Sequence, residues 1–168
     1  MVQRCIGAYN MSVIYHNRTP NPEAEQKFNA RRVSFDELLK NSDVLSVHSV
    51  LSDETRGIFN ARAFAKMKSS AIFINTARGG VHNEPDLLQA LQQKTIWGAG
   101  LDVTNPEPML ASNPLLQMDN VAILPHIGSA TIEARTEMSR RAAENVITFF
   151  AEGRVPYLVN PEVVVAKP

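Results

Sequence analysis

Cysteine is almost absent from this chain. Cys5 is the only one among 168 residues. No internal disulfide can form, and a reducing compartment such as the cytoplasm fits. Cys5 itself reads as an inert packing residue. An excess of one charge is missing too: 17 basic residues balance 17 acidic ones, for a formal net charge of zero. That balance gives no reason to propose nucleic acid or an acidic membrane surface as a partner. No apolar run reaches the roughly 18 residues that a membrane helix needs. Met1-Val2-Gln3-Arg4 does not lead into a signal-peptide core. Internal repeats and low-complexity segments are also lacking. What remains is ordinary globular composition, 44% hydrophobic and 20% charged, at a length sufficient for one domain with a real core.

Short apolar runs alternate with helical patterns. Strands are predicted over 11–15, 44–48, 71–75, 98–102 and 121–124. Several are apolar on both faces, as buried parallel strands are. Residues 1–9 read as the last turns of a helix. Asn21 caps a helix opening at Pro22, with Glu23 and Glu25 in its first turn. Ser34 and Glu37 form a capping box before a short helix, Phe35 to Lys40. Asn60 to Met67 and Pro85 to Gln93 read as helices, the second with Leu87, Leu88 and Leu91 on one face. The proline-bearing stretch Thr104 to Asn120 is a loop. A long helix beyond Gly128 runs to about Glu152 and stops at Gly153, which suits a left-handed cap. The tail 154–168 shows no periodicity. Trp97, Phe149 and Phe150 are expected in the core, and His16, His48 and His82 are read as structural. The alternation predicts an α/β fold with a mainly parallel sheet.

Polar clusters follow three of these strands. Ala71-Ile-Phe-Ile-Asn75 runs into Thr76-Ala77-Arg78-Gly79-Gly80, Gly98-Ala-Gly-Leu101 into Asp102 and then Glu107, and Val121-Ala-Ile-Leu124 into Pro125-His126-Ile127-Gly128-Ser129. Ligands of open α/β sheets sit outside the carboxyl ends of the strands. Arg78, Asp102, Glu107 and His126 are therefore expected at one rim. A cation, two carboxylates and an imidazole there suggest a polar active site. No metal site is predicted.

These motifs, Ile74-Asn-Thr-Ala-Arg-Gly79, Gly100-Leu-Asp-Val103 with Glu107-Pro108, and Leu124-Pro-His-Ile-Gly-Ser-Ala-Thr131, resemble the NAD(P)-binding domain of the D-isomer-specific 2-hydroxyacid dehydrogenases. The stretch Leu101-Asp-Val-Thr-Asn-Pro-Glu-Pro108 looks most like the glyoxylate/hydroxypyruvate reductases among them. The resemblance covers about residues 1–160. It implies a doubly wound, Rossmann-like sheet over 1–152, with a tail over 153–168 that returns to a separate substrate domain. It also implies that Arg78 binds the substrate's carboxylate and carbonyl, that His126 protonates the carbonyl oxygen, and that Glu107 holds His126 protonated. Asp102 would contact the nicotinamide end. Ser49, Thr76, Ala77 and Arg78 would line the cofactor, with His126, Ile127, Gly128 and Ser129 close to the nicotinamide.

The chemistry agrees. Hydride addition to a ketone leaves an alkoxide, which needs a donor with a near-neutral pKa, and imidazole supplies one. A carboxylate beside it raises that pKa. A keto acid's own carboxylate suits a guanidinium fork.

The strand over 11–15 ends in His16-Asn17-Arg18, and the first acidic residue afterwards is Glu23. An acidic residue there would bind the ribose 2′-hydroxyl of NAD. Arg18 can instead pair with a 2′-phosphate, and Asn17 can hydrogen-bond the ribose, so NADP is expected over NAD.

The sequence contains no Gly-x-Gly-x-x-Gly. By the resemblance it reads as a fragment beginning inside the first helix of the cofactor domain. The first strand and its glycine-rich loop would then be absent, leaving two internal sheet edges unpaired, and the chain alone is expected to be inactive. The longer parent is expected to be a cytoplasmic homodimer acting on a small 2-keto or 2-hydroxy acid. Two other functions stay open. One is a non-catalytic dinucleotide-binding scaffold like the corepressors related to this family. The other is a different dehydrogenase of the family, acting on phosphoglycerate or formate. The set Arg78, Glu107 and His126 favours an enzyme, since a scaffold has no chemical need of it.

Overall fold

A computed structural model describes residues 2–160 and 162. The described chain forms two compact units, the first ending at Pro125 and the second beginning at His126.

The first unit is built on four parallel strands, with β1 (Ile14–Tyr15) and β2 (Arg31–Arg32) in a separate ladder. The four are β3 (Val44–Val47), β4 (Ile72–Asn75), β5 (Gly98–Leu101) and β6 (Val121–Ile123), in the spatial order β3-β4-β5-β6. Val44 pairs with Ile72, Ile72 with Gly98 and Ala99 with Val121. Parallel neighbours require crossovers. α4 (Ala61–Phe64) lies between β3 and β4, α5 (Glu84–Gln92) between β4 and β5, and a 3-10 turn, Pro114–Gln117, between β5 and β6. Asn60 Oδ1 caps α4 by accepting the Arg62 and Ala63 amides. Asn83 Oδ1 caps α5 through the Asp86 amide. Phe73 of β4 is fully buried at the centre of the core. Its ring meets Phe59 at 5.1 Å and Phe64 at 5.3 Å between centroids. Leu45, Leu87, Leu91 and Leu101 pack around it. β5 approaches its neighbour so closely that a Cβ at Gly98 would stand 2.7 Å from the Asn120 carbonyl oxygen.

Ahead of this sheet come α1 (Val2–Tyr9), β1 (Ile14–Tyr15), α2 (Pro22–Phe28), β2 (Arg31–Arg32) and α3 (Phe35–Asn41). β1 and β2 pair in parallel, Ile14 with Arg31 and Tyr15 with Arg32, as a sheet of their own. The sheet is thus two ladders, and among the described residues none joins β1 to β3, in agreement with the two unpaired internal edges expected from the sequence. Side chains link the two ladders instead. His16 Nδ1 donates to the Val33 carbonyl at 3.0 Å, and the ring lies 5.7 Å from Phe35, which in turn meets Phe59 at 5.5 Å.

Every predicted strand is shorter in the structure, most of all the one over 11–15, which keeps only residues 14–15. Residues 11–13 stay outside the β1–β2 ladder, although the Val13 carbonyl accepts the Arg31 amide at 3.0 Å. The Ser34 hydroxyl accepts the Glu37 amide as predicted, but the Glu37 carboxylate is drawn to Arg31 at 2.7 Å. Trp97 and Phe150, expected in the core, are 62% and 67% exposed.

The second unit is α6 (Ile132–Glu152) with its flanks. Thr131 Oγ1 accepts the Ala134 amide at the start. Gly153, at φ 72°, closes the end by donating its amide to the Phe149 carbonyl. The following chain turns back along the helix: the Tyr157 amide donates to Asn145 Oδ1, and the Arg141 guanidinium lies 4.9 Å from the Tyr157 ring centroid. Among the described residues no helix is long and apolar enough to cross a membrane.

Candidate active site

The loop leaving β4 is fastened by one fully buried amide. Asn75 Oδ1 accepts the Ala77 amide at 3.0 Å. Asn75 Nδ2 donates to the Arg78 carbonyl at 3.0 Å and lies 3.0 Å from His82 Nδ1. The backbone carbonyl of Asn75 accepts the Asp102 amide, which ties the ends of β4 and β5 together. A Cβ on Gly79 would fall 2.0 Å from the Thr104 carbonyl oxygen. Only glycine lets the loop after Arg78 pass that close to the loop after β5.

Residues 48–51 after β3 and residues 76–78 after β4 enclose a cavity of about 480 Å³. Ser49, Thr76, Ala77 and Arg78 of the predicted set are brought together there. Arg78 is exposed at its edge, with Nη1 donating to the Ala77 carbonyl at 2.6 Å. His48, read as structural from sequence, also lines the cavity; its Nε2 lies 2.9 Å from the Ser46 hydroxyl.

Asp102 follows β5 and is buried. Glu107 is exposed, and its carboxylate accepts the Thr104 amide at 3.4 Å, while the Thr104 hydroxyl donates to the Pro106 carbonyl at 2.8 Å. The Arg78 and Glu107 loops therefore meet through Gly79 and Thr104.

Asn17 and Arg18 stand apart from this cluster, on the exposed loop after β1. Arg32, which sequence reasoning passed over, braces that loop. Its Nε and Nη2 donate to the Asn17 carbonyl at 3.2 and 2.9 Å, and Nη2 donates to the Arg18 carbonyl at 2.8 Å.

His126, Ile127, Gly128 and Ser129 lead into α6 in the second unit. His126 is exposed and holds φ 56°. That left-handed backbone is uncommon outside glycine, and such residues cluster at functional loops. The Ala130 amide donates to the Ile127 carbonyl at 2.9 Å, closing the turn.

Residues 1–128 match the family described as D-isomer specific 2-hydroxyacid dehydrogenase, NAD binding domain. The chain belongs to that family. Its relatives include glyoxylate/hydroxypyruvate reductase B of Escherichia coli, 47% identical over 164 residues, covering 97% of this chain and 50% of the relative. The chain spans about half the length of the curated relatives it matches. Among solved structures, the holo form of Rhodotorula graminis D-mandelate dehydrogenase superposes with a TM-score of 0.89 at 31% identity, over 99% of this chain and 48% of that one. A glyoxylate reductase from Paecilomyes thermophila gives 0.81 at 39% identity, over 93% and 47%. For this 2-hydroxyacid dehydrogenase domain, a nicotinamide dinucleotide is the cofactor the family implies. The residues present fit part of it. The hydroxyls of Ser49 and Thr76, the Asn17 amide and the Arg18 guanidinium are donors suited to sugar and phosphate oxygens, and the cavity volume lies in the small-molecule range. A glycine-rich cradle for the pyrophosphate has no counterpart in the 168 residues.

Proposed function

We propose that this chain carries the reacting half of an NAD(P)-dependent reductase of small 2-keto acids, of the glyoxylate and hydroxypyruvate type. The observation that carries the reading is the presentation of Arg78 at a cavity edge by a loop pinned through Asn75 and Gly79. A guanidinium so placed offers two parallel donors to a carboxylate. The relatives named as glyoxylate/hydroxypyruvate reductases supply the substrate class.

In this reading Arg78 binds the keto acid's carboxylate and orients its carbonyl. His126 gives a proton to the carbonyl oxygen, and Glu107 keeps the imidazole charged. Asp102, Ile127, Gly128 and Ser129 flank the nicotinamide, which when bound supplies the hydride. Arg18 and Asn17, on the loop braced by Arg32, favour NADP over NAD, since the first acidic residue after β1 is Glu23 and the loop itself carries no carboxylate to repel a 2′-phosphate. The working protein is a cytoplasmic homodimer, with a small acid as its substrate and neither nucleic acid nor membrane as partner.

The test is reduction of glyoxylate and hydroxypyruvate by NADPH and NADH. It is run on residues 1–168 alone and on a chimera joining them to the unmatched half of the Escherichia coli relative. The chimera turns over and the isolated chain falls at least an order of magnitude lower, because its sheet is broken between β1 and β3. In the chimera His126→Ala lowers kcat by roughly 10²–10⁴-fold. Near-unchanged turnover by that variant would remove the acid role.

A further inference from the structure

His82 is the one buried imidazole in the first unit among the described residues, 3% exposed, and the reaction just described makes no use of it. An apolar side chain would fill its place at lower cost, because His82 Nε2 is buried without a hydrogen-bond partner. A buried polar group kept under those conditions calls for a reason.

The reason lies in the neighbouring amide. Asn75 Oδ1 faces the Ala77 N–H, and Nδ2 faces the Arg78 carbonyl. Turning the amide over would set oxygen against oxygen and N–H against N–H, so its orientation is fixed. The second Nδ2 hydrogen then points at His82 Nδ1, which must accept. The imidazole is therefore neutral, with its proton on Nε2. The rest of the site holds the ring in that role. The Phe59 and Asn83 amides donate to the Val81 and Phe59 carbonyls on either side of it, and the Phe73 ring packs against it at 5.9 Å between centroids. Burial pushes its pKa down to about 4, so it remains an acceptor at neutral pH.

We propose that His82 is a positioning residue whose Nδ1 locks the Asn75 amide, and that this lock sets the 76–78 loop from which Arg78 reaches its ligand. The lock is a property of this chain alone. Only the identity of what Arg78 binds rests on the function proposed above.

Three measurements test it. Nitrogen-15 NMR of the unmodified chain should show the Nε2–H tautomer for His82; the Nδ1–H tautomer would overturn the proposal, and this needs no variant to fold. Amide hydrogen exchange at Ala77 should accelerate about tenfold in His82→Leu, the equivalent of one lost hydrogen bond. His82→Gln, which keeps an acceptor, should restore protection; equal exchange in the unmodified chain and the Leu variant would overturn the lock. In the chimera, His82→Leu should raise KM for glyoxylate about tenfold. A variant that loses thermal stability but keeps its glyoxylate KM shows a packing role only and overturns the positioning role. If the unmodified chimera does not turn over, the reductase reading fails, while the tautomer and the exchange data still decide for or against the lock.

Discussion

The two ladders of the first unit share one backbone plan and differ in what they bury. Between β3 and β6, strands have neighbours on one or both edges and helices against them, and the largest fully buried side chains, Phe64, Phe73, Leu87 and Leu101 among them, all fall there or in the crossovers except Leu39 of α3. In the β1–β2 part, each strand is two residues long, and among the described residues before α3 only Ala30 and Val33 are buried apolar residues. Polar contacts do the holding instead: Tyr15 donates to Glu25, Asn21 donates to Tyr15, and Arg32 grips the Asn17–Arg18 turn. Parallel strands are stable chiefly where both faces of their sheet are covered. The site divides accordingly. The four-stranded ladder carries Arg78, proposed to bind the substrate, and the thin one carries Asn17 and Arg18, proposed to choose the cofactor.

The contrast can be broken at its strongest point. Phe73→Ala should cost about 3–5 kcal/mol, the range for emptying an aromatic site in a core. Ile14→Ala, half-buried in β1, should cost under about 1.5 kcal/mol, at or below the low end for buried aliphatic truncation. Urea midpoints of both variants give the comparison, and similar losses would show that the two ladders fold as one.

Acid should act on the β4 side next. His82 titrates near 4 when folded against 6.5 when unfolded. The unfolded chain therefore binds the extra proton first as pH falls, and stability drops between about 6.5 and 4. The slope from this group vanishes below its folded pKa. Integrated over the window, the loss is roughly 3 kcal/mol. Urea midpoints at pH 7 and pH 4 should show it, and His82→Leu should flatten that part of the profile.

A smaller effect is expected from Gly79→Ala. The added methyl meets the Thr104 carbonyl, and relieving an overpacked contact of that kind costs about 1–3 kcal/mol. Because the shift moves Arg78, KM for glyoxylate in the chimera should rise as well; an unchanged KM would detach the Gly79 contact from the site. Smallest of all, Arg18→Ala should leave stability alone and weaken NADPH about tenfold, near the lower range for a charge-assisted hydrogen bond, with NADH unaffected. Equal losses for both cofactors would make Arg18 a solvated loop charge.

Local physics made much of this legible without coordinates. The caps at Asn21, Ser34 and Gly153 work as their residue types dictate, because a cap is a contact within a few residues; Asn60, read as the first residue of its helix, is that helix's cap. The four inner strands declare themselves by apolar character, and the polar clusters after them mark where a ligand would sit. β2 left no signal, since Arg31-Arg32 is charged and exposed and becomes a strand only by pairing with β1. Trp97 and Phe150 looked like core on hydrophobicity alone, which says nothing about whether another layer covers them.

The sequence by itself determined the α/β alternation, the helix ends, the family and the identity of the candidate reacting groups, all of which rest on near neighbours or ordered motifs. Only the tertiary structure decided that Arg31-Arg32 pairs with β1 as a ladder of its own, since ladders join residues far apart in the chain. It also decided that Gly79 is needed for its approach to Thr104, and that Asn75 and His82 fasten the Arg78 loop. A buried hydrogen bond depends on which atoms the fold brings within 3 Å of each other, and the residue letters carry no record of that distance.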